Sequence, residues 1–176
     1  MTETPLLNTT RLVLRKHNVE DFAALHAMWT EPAVYHHIIG RPPTREESWS
    51  RLLRYAGHWA VLGYGYWAVE ERESRTFVGE MGFADYHRDI DPSFGGRPEL
   101  GWALKTSLHG KGFATEALTA ITAWGDVSFG KRETSCMIAP ENTASIRLAN
   151  KIGFREKLRT TYKSEPVVVF FRESKS

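Results

Sequence analysis

The sequence predicts a mixed α/β fold in one domain spanning residues 1–176. Two kinds of segment support this: stretches with apolar residues at helical spacing, and short runs of β-branched, aromatic or alternating residues. Their predicted order is a strand, two helices, three strands, a helix, a strand, a helix and two strands. This order matches neither a doubly wound parallel sheet nor a helical bundle, which leaves a mixed arrangement.

The chain opens with a predicted strand followed by a helix. Arg11–Arg15 is apolar between two charged residues, as expected for a short strand. Asn18 is a good N-cap residue, and Asp21 follows it at the spacing of a capping box. Pro32 should end or kink this helix, because proline lacks the amide hydrogen that a helix interior needs.

A second helix is predicted after Thr44, which forms a capping box with Glu47. Residues along one side should form its apolar face, namely Trp49, Leu52, Leu53, Ala56 and Ala60. The two helices should therefore pack over a flatter layer.

Three strands are predicted to begin that layer. Tyr66–Val69 is aromatic and β-branched, and residues 77–83 alternate, so the two segments should pair as a hairpin. Asp89–Pro98 contains two glycines and two prolines and is predicted to be a loop. Glu99–Leu104 is a short apolar strand.

The C-terminal part adds two helices and three strands. A long helix from about Gly112 to Phe129 has one apolar stripe, formed by Ala114, Ala117, Leu118, Ile121 and Trp124. The remaining predicted elements are a strand at Ser135–Ala139, a helix at Asn142–Ile152, a strand at Phe154–Tyr162 and a buried strand at Val167–Phe171.

Composition excludes several classes of protein. The net charge is +2, and no run of Lys and Arg predicts binding to nucleic acid or to a membrane surface. No stretch approaches the roughly 18 apolar residues that cross a bilayer, and the N-terminus does not resemble a signal peptide, so a cytoplasmic location is expected. The lone Cys136 should be a buried apolar residue, and His36 and His37 are not at ligand spacing, so no metal site is predicted.

The Gly-rich turn at residues 109–114 has the clearest chemical meaning. It follows a strand and opens a helix, so its free amide groups and the helix dipole can bind a phosphate. Gly110 and Gly112 allow the backbone to approach such a ligand closely. A Walker A loop and a dinucleotide fingerprint both need a different spacing. Local sequence alone supports a structural turn and an anion site equally.

Two motifs at compatible spacing resemble the GNAT acetyltransferases. Residues 99–104, followed after five residues by 110–118, resemble the core of that family. The family's turn reads Gln or Arg, two residues, Gly, one residue, then Gly or Ala, and His109, Gly112 and Ala114 take those places here. The usual Arg or Gln is thus replaced by a histidine.

The resemblance covers nearly the whole chain. Residues 141–145 leading to 151–154 resemble the family's second cofactor segment. The likeness is closest to the Rim-type branch, which acetylates N-termini of ribosomal proteins, and Arg11–Arg15 resembles the opening strand of that branch. The implied GNAT fold is a mostly antiparallel sheet of about seven strands, splayed at the cofactor site and flanked by about four helices.

The resemblance also implies acetyl-CoA as co-substrate, without a metal. The pantetheine arm should contact backbone groups of Trp102, Ala103 and Leu104, while the side chain of Trp102 belongs to the core. Asn142 should also contact this arm. It begins a helix, which strongly favours an N-cap role as well, and one residue can have both roles. The ring of His109 either donates to a phosphate or caps the turn. The residues implied to hold the pyrophosphate are His109, Gly110, Lys111, Gly112, Phe113 and Ala114.

Direct acyl transfer is the implied reaction: a free amine attacks the thioester, and a base accepts its proton. Glu99 is the first candidate for the base and Glu80 the second, although either could be a solvated strand residue. Tyr86 or His87 could line the acceptor site.

The acid that protonates the leaving thiolate is a departure from the family. Many members carry a Tyr seven residues after the Asn of the second segment, where this chain has Ala149. Ser145 is the predicted replacement, with an ordinary helix-surface serine as the alternative.

We therefore expect an N-acetyltransferase that acts on a primary amine of a small molecule or a protein N-terminus. The alternatives are a non-catalytic acyl-CoA-sensing domain on the same fold and a nucleotide-phosphate binder of another fold. Residues 31–54 and 89–98 should shape the acceptor site, and Tyr35, Trp49 and Tyr55 either line it or belong to the core. Peptide α-amines, polyamines, amino acids and aminoglycosides are all open as acceptors, as is a homodimer.

Overall fold

One sheet of eight strands forms the centre of residues 3–175, the part of the chain that the computed structural model describes. In chain order the strands are β1 (Leu7–Asn8), β2 (Leu12–Arg15), β3 (Tyr66–Glu71), β4 (Phe77–Ala84), β5 (Glu99–Leu104), β6 (Thr134–Ile138), β7 (Arg155–Tyr162) and β8 (Glu165–Arg172). Across the sheet they run β1, β2, β3, β4, β5, β6, β8, β7, and the neighbours are antiparallel except for β5 and β6. The mostly antiparallel sheet is confirmed, with the two-residue β1 in addition to the predicted strands.

Five α-helices flank the sheet within the described residues. They are α1 (Phe22–Trp29), α2 (Pro32–Tyr35), α3 (Arg45–Leu62), α4 (Phe113–Phe129) and α5 (Thr143–Lys151). Helices α1 and α3 pack on one face of the sheet, and α4 and α5 pack on the other. None of these helices is long and apolar enough to cross a membrane.

Both predicted capping boxes are confirmed. Asn18 Oδ1 accepts from the backbone N–H of Asp21 at 3.1 Å, and the Asp21 carboxylate accepts from the backbone N–H of Asn18 at 2.9 Å. A short 3-10 turn lies between this cap and α1. Thr44 and Glu47 make the same pair of bonds at the start of α3.

The sequence suggested that Pro32 ends or kinks α1, but it does neither, because that helix has already ended at Trp29. It starts α2 instead. The first helical position tolerates proline, since the amide hydrogen there has no partner inside the helix.

The predicted apolar face of α3 is wrong in part. The buried residues are Ser48, Leu52, Tyr55 and Trp59, whereas Leu53 is 50% exposed and Trp49 is 36% exposed. The face is offset because Tyr55 and Trp59 bury large rings whose polar atoms find partners on the sheet: the Glu80 carboxylate and the Tyr66 carbonyl group.

Strand β4 pairs with β3 as predicted, and all eight of its residues are buried. Helices α1 and α3 cover one face of this central strand and α4 covers the other. The loop between β4 and β5 covers a further part of the sheet, because Ile90 and Phe94 pack against β8.

Candidate active site

The parallel strands β5 and β6 diverge, and this opens a gap in the sheet. Strand β5 pairs with β4 along its whole length. Within the described residues its register with β6 contains one pair, Glu99 with Ser135. The free edge of β5 beyond that pair faces the gap, as the resemblance implies for the splayed cofactor site.

The Gly-rich turn lies at the open end of this gap, between β5 and α4. Gly110 and Gly112 have φ values of +73° and +81°, in the left-handed region that favours glycine. A Cβ atom on Gly110 would meet no other atom within 4 Å, so glycine is not required there by packing inside the protein. The turn therefore presents bare backbone to its outer side.

A row of backbone N–H groups is free at this turn. Within residues 3–175, the N–H groups of residues 110–115 donate to no other protein group, and the first bond at the start of α4 runs from the Glu116 N–H to the Gly112 carbonyl oxygen. Gly112, the N-cap of α4, offers no side chain that could bind them. Unpaired donors and the positive end of a helix dipole are the features with which helix N-termini can bind an anion.

Arg11 braces the turn from the start of β2. Its guanidinium donates to the Lys111 carbonyl oxygen at 2.9 Å and to the Glu116 carboxylate at 2.7 Å, and it lies 4.5 Å from the ring centre of Phe113. The Glu116 carboxylate also accepts from the Thr9 hydroxyl at 2.6 Å. Sequence reasoning missed this role, because Arg11 was interpreted only as the end of a strand.

The ring of His109 is tied to the turn itself. Its Nε2 lies 3.1 Å from the Leu104 carbonyl oxygen, which can only accept, so Nε2 carries a hydrogen atom. This is the geometry of a turn cap. The side chain of Trp102 is half-buried against the core that β5 shares with α4, as expected, and the side chains of Ala103 and Leu104 are buried.

The second predicted cofactor segment begins α5. Asn142 is its N-cap, and its Oδ1 accepts from the Ser145 backbone N–H at 3.1 Å. Ser145 is half-buried on the first turn of this helix. Ala149 is fully buried in the core. Its methyl side chain can donate no proton.

Glu99 lies at the narrow end of the gap and is 7% exposed. Arg88 holds both carboxylate oxygens, with N···O distances of 2.6 and 2.8 Å. Two lone pairs of the carboxylate remain available for another donor. Glu99 also lines a cavity of about 210 Å³, together with Tyr86, His87, Arg88, Phe94 and Arg97.

Glu80 lies deeper, on β4. It is fully buried, its Oε1 accepts from Tyr55 and from Trp29, and its Oε2 has no hydrogen-bond partner among the described residues. Burial raises the pKa of Glu80, against the opposing effects of the Arg51 charge and the two donors.

Ser135 was not predicted as a site residue, yet it faces Glu99 across the narrow end of the gap. Its side chain is fully buried, and its hydroxyl has no hydrogen-bond partner in the described part of the chain. A buried hydroxyl without a partner costs free energy. The neighbouring Cys136 is also buried, and burial raises the pKa of its thiol, which suits the apolar role expected for it.

The family is shown by comparison with known proteins. Residues 11–155 match the family model described as an acetyltransferase (GNAT) domain. The chain is 30% identical to the uncharacterized N-acetyltransferase p20 of Bacillus licheniformis over 152 residues, which is 86% of this chain and 83% of the relative. The chain therefore belongs to the GNAT acetyltransferases, and it is an acyltransferase of that kind.

Solved structures agree with this assignment. A GnaT-family structure from Bordetella pertussis has a TM-score of 0.85 and 30% identity, and the match covers 96% of this chain and 99% of that one. RimL, a ribosomal L7/L12 α-N-protein acetyltransferase solved with coenzyme A, has a TM-score of 0.76 at 17% identity, covering 96% and 98% of the two chains. The second likeness concerns the fold alone. Residues 3–175 contain no cluster of three or more metal-ligating side chains.

Proposed function

We propose that this protein transfers the acetyl group of acetyl-CoA to a primary amine. The observation that carries the proposal is the row of free N–H groups at residues 110–115, at the open end of the gap between β5 and β6. A pyrophosphate needs several donors and a positive potential, and this turn offers both. That RimL is known with bound coenzyme A supports the choice of ligand.

The pantetheine arm would lie along the free edge of β5. Trp102, Ala103 and Leu104 would bind it through their backbone, since their side chains pack into the cores. His109 would hold the turn in shape by its bond to Leu104, and Asn142 would offer its amide NH₂ group while its oxygen caps α5.

The proton of the amine would pass to Glu99. Its carboxylate lines a cavity at the narrow end of the gap, whereas Glu80 is sealed beneath Tyr55 and Trp29. Arg88 would keep Glu99 in position through its two bonds. Ser145 would protonate the leaving thiolate, in the role that a Tyr at position 149 has in many relatives.

Release of the CoA thiol in the presence of a panel of amines tests the proposal. Gly110→Ala should weaken CoA binding roughly tenfold, because a methyl group would cover the backbone donors that a phosphate needs. Gly40→Ala is a matched control, since Gly40 has a similar φ of +75° and equally open surroundings. Equal loss in both variants, or CoA binding without turnover of any amine, would refute acetyl transfer at this site.

A further inference from the structure

Two arginines of α3, Arg51 and Arg54, lie on the candidate acceptor side of the sheet and form no ion pair among the described residues. Arg54 is exposed and lies over the ring of Tyr86, with Cζ 5.4 Å from the ring centre. Arg51 stacks on Trp29 with Cζ 3.7 Å from the ring centre, and its Nη1 reaches only the Tyr55 hydroxyl, at 3.5 Å. Its Nε is buried and has no hydrogen-bond partner among residues 3–175.

The acids around these arginines bond to other groups, although Oε2 of Glu80 has no hydrogen-bond partner among the described residues. Glu99 is bound at both oxygens by Arg88, and Glu80 accepts from Tyr55 and Trp29. Asp85 accepts from the backbone N–H of His87 and lies 3.5 Å from its ring. Neither Arg51 nor Arg54 forms an ion pair in the described part of the chain. Arg51 is nevertheless close enough to Glu80 for that carboxyl to raise its pKa against the effect of burial, so Arg54 carries the less compensated of the two charges.

This charge lies next to the reacting end of the gap. The ring of Tyr86 packs in the same cluster as Tyr66, and the hydroxyl group of Tyr66 lies over Gly101 of β5. Gly101 is two residues from Glu99, and Tyr86 and Glu99 line the same cavity. Because Arg54 lies over Tyr86, which lines the cavity with Glu99, an acceptor whose amine reaches Glu99 could extend past Tyr86 toward this guanidinium group and that of Arg51, one turn away on α3.

We infer that the acceptor is a primary amine that also carries an anionic group, a carboxylate in the simplest case, bound by Arg51 and Arg54. This inference rests on the proposed acetyl transfer and specifies its substrate class. Guanidinium groups bind carboxylates through charge-assisted, often bidentate hydrogen bonds. Polyamines and aminoglycosides would bring further positive charge to the same place and would be rejected by repulsion.

Two pairs of amines test the inference on the full chain with acetyl-CoA. 4-Aminobutyrate and butane-1,4-diamine share a four-carbon chain and differ in the charge of the second group. Glycylglycine and glycylglycinamide share an α-amine and differ only in the terminal carboxylate. In each pair we expect the anionic member to have the higher kcat/KM, by roughly tenfold or more, the effect of one charge-assisted bond.

Variants then locate the preference. Arg54→Gln should raise the KM for glycylglycine roughly tenfold while the KM for glycylglycinamide stays the same. Arg51→Lys keeps the charge but not the fork of donors, so it should weaken the same preference without removing the cation beside Glu80. Arg45→Gln is the control, because Arg45 lies on the same helix but over Phe22, away from Tyr86.

The results of these experiments distinguish a wrong substrate class from a wrong proposed function. Turnover of the uncharged or cationic members equal to or above that of the anionic ones overturns the inference and leaves acetyl transfer standing. A preference that survives in both Arg54→Gln and Arg51→Lys also overturns it. Lack of turnover with every amine overturns the proposed function, and the inference falls with it.

Discussion

The hydroxyl group of Tyr66 on β3 lies directly over Gly101 on β5, two strands away. A Cβ atom at position 101 would overlap the phenolic oxygen, so glycine is the residue that this approach allows. Tyr66 in turn stacks on Tyr55, with ring centres 4.5 Å apart and planes 5° from parallel. Strand β5, which borders the gap, is thus in contact with an aromatic stack that begins with Tyr55 on α3.

Gly101→Ala should therefore destabilise the protein by about 1–3 kcal/mol, the usual penalty for overpacking, and should lower activity because β5 must move. Tyr66→Phe removes the oxygen that clashes, so the double variant should recover most of the lost stability. Urea denaturation and steady-state kinetics measure both effects. Gly57→Ala is the control, since a Cβ on this helical glycine meets nothing within 4 Å.

No recovery in the double variant would show that Gly101 is required for another reason. Close approach of the pantetheine arm is the alternative, and it predicts a loss of CoA affinity that Tyr66→Phe does not correct.

Arg11 joins the start of β2 to the Gly-rich turn, so if that turn binds CoA, replacing Arg11 should affect CoA binding and not the amine. Arg11→Gln loses the guanidinium bonds to the Lys111 carbonyl and to the Glu116 carboxylate, whereas the bond from the backbone N–H of residue 11 to Glu116 remains. We expect the Kd for CoA to rise roughly tenfold, as for the loss of one charge-assisted contact, with an unchanged KM for the amine. Calorimetric titration with CoA measures this. Arg72→Gln is a nearby control, because Arg72 contacts the Thr9 carbonyl and not the turn.

An unchanged Kd in Arg11→Gln would mean that the turn holds its shape without this brace. Its free N–H groups would then be positioned by Gly110, Gly112 and the bond from His109 alone.

Two serines can be compared as proton donors to the leaving thiolate. Ser145→Ala should lower kcat roughly a hundredfold if its hydroxyl is the general acid, with little change in the KM for acetyl-CoA. Ser135→Ala removes a buried hydroxyl that has no described partner, so it should leave stability unchanged or improve it. Single-turnover kinetics with each variant would assign the role. If only Ser135→Ala loses kcat, the general acid is Ser135 on β6 and not Ser145 on α5.

Sequence reasoning succeeded where the determinants are local. Both capping boxes involve residues three apart, and the bounds of β5 follow from an apolar run between a Pro-rich loop and a turn. The prediction of the apolar face of α3 was wrong in part, because the hydrogen-bond partners of Tyr55 and Trp59 lie on β4 and β3. No spacing within the helix could reveal an acceptor on Glu80, 25 residues away.

The candidate site divides in the same way. The turn at residues 109–114 was found because glycines, a preceding strand and a following helix are adjacent in the chain. Arg11 bonds to Glu116 across 105 residues and carries no motif, so only the fold shows it. The pairing of Arg88 with Glu99 was missed for another reason: Arg88 lies in an irregular loop whose path no periodicity predicts.

His17 should make the stability of the protein depend on pH. It is buried, 6% exposed, with its ring stacked on Tyr55 and its Nδ1 3.9 Å from the Asp21 carboxylate. Burial lowers the pKa of His17 from 6.5 to about 4, although the charge of Asp21 opposes this. At a pH above the pKa of His17 in the unfolded chain, the ring is neutral in both the folded and the unfolded protein. As the pH falls below that pKa, the unfolded chain binds a proton that the folded protein rejects, so stability is lost down to about pH 4.

The loss from this one group is roughly 3 kcal/mol across that window. His17→Phe keeps a ring against Tyr55 and removes the titrating group, so it should flatten this part of the pH dependence. Urea denaturation at a series of pH values from about 7 to about 4.5 measures the slope. His36→Gln, an exposed position, should keep the wild-type slope. If stability depends on pH as steeply in His17→Phe as in the wild type, other groups cause the effect. His58 is then the next residue to replace, because burial lowers its pKa too.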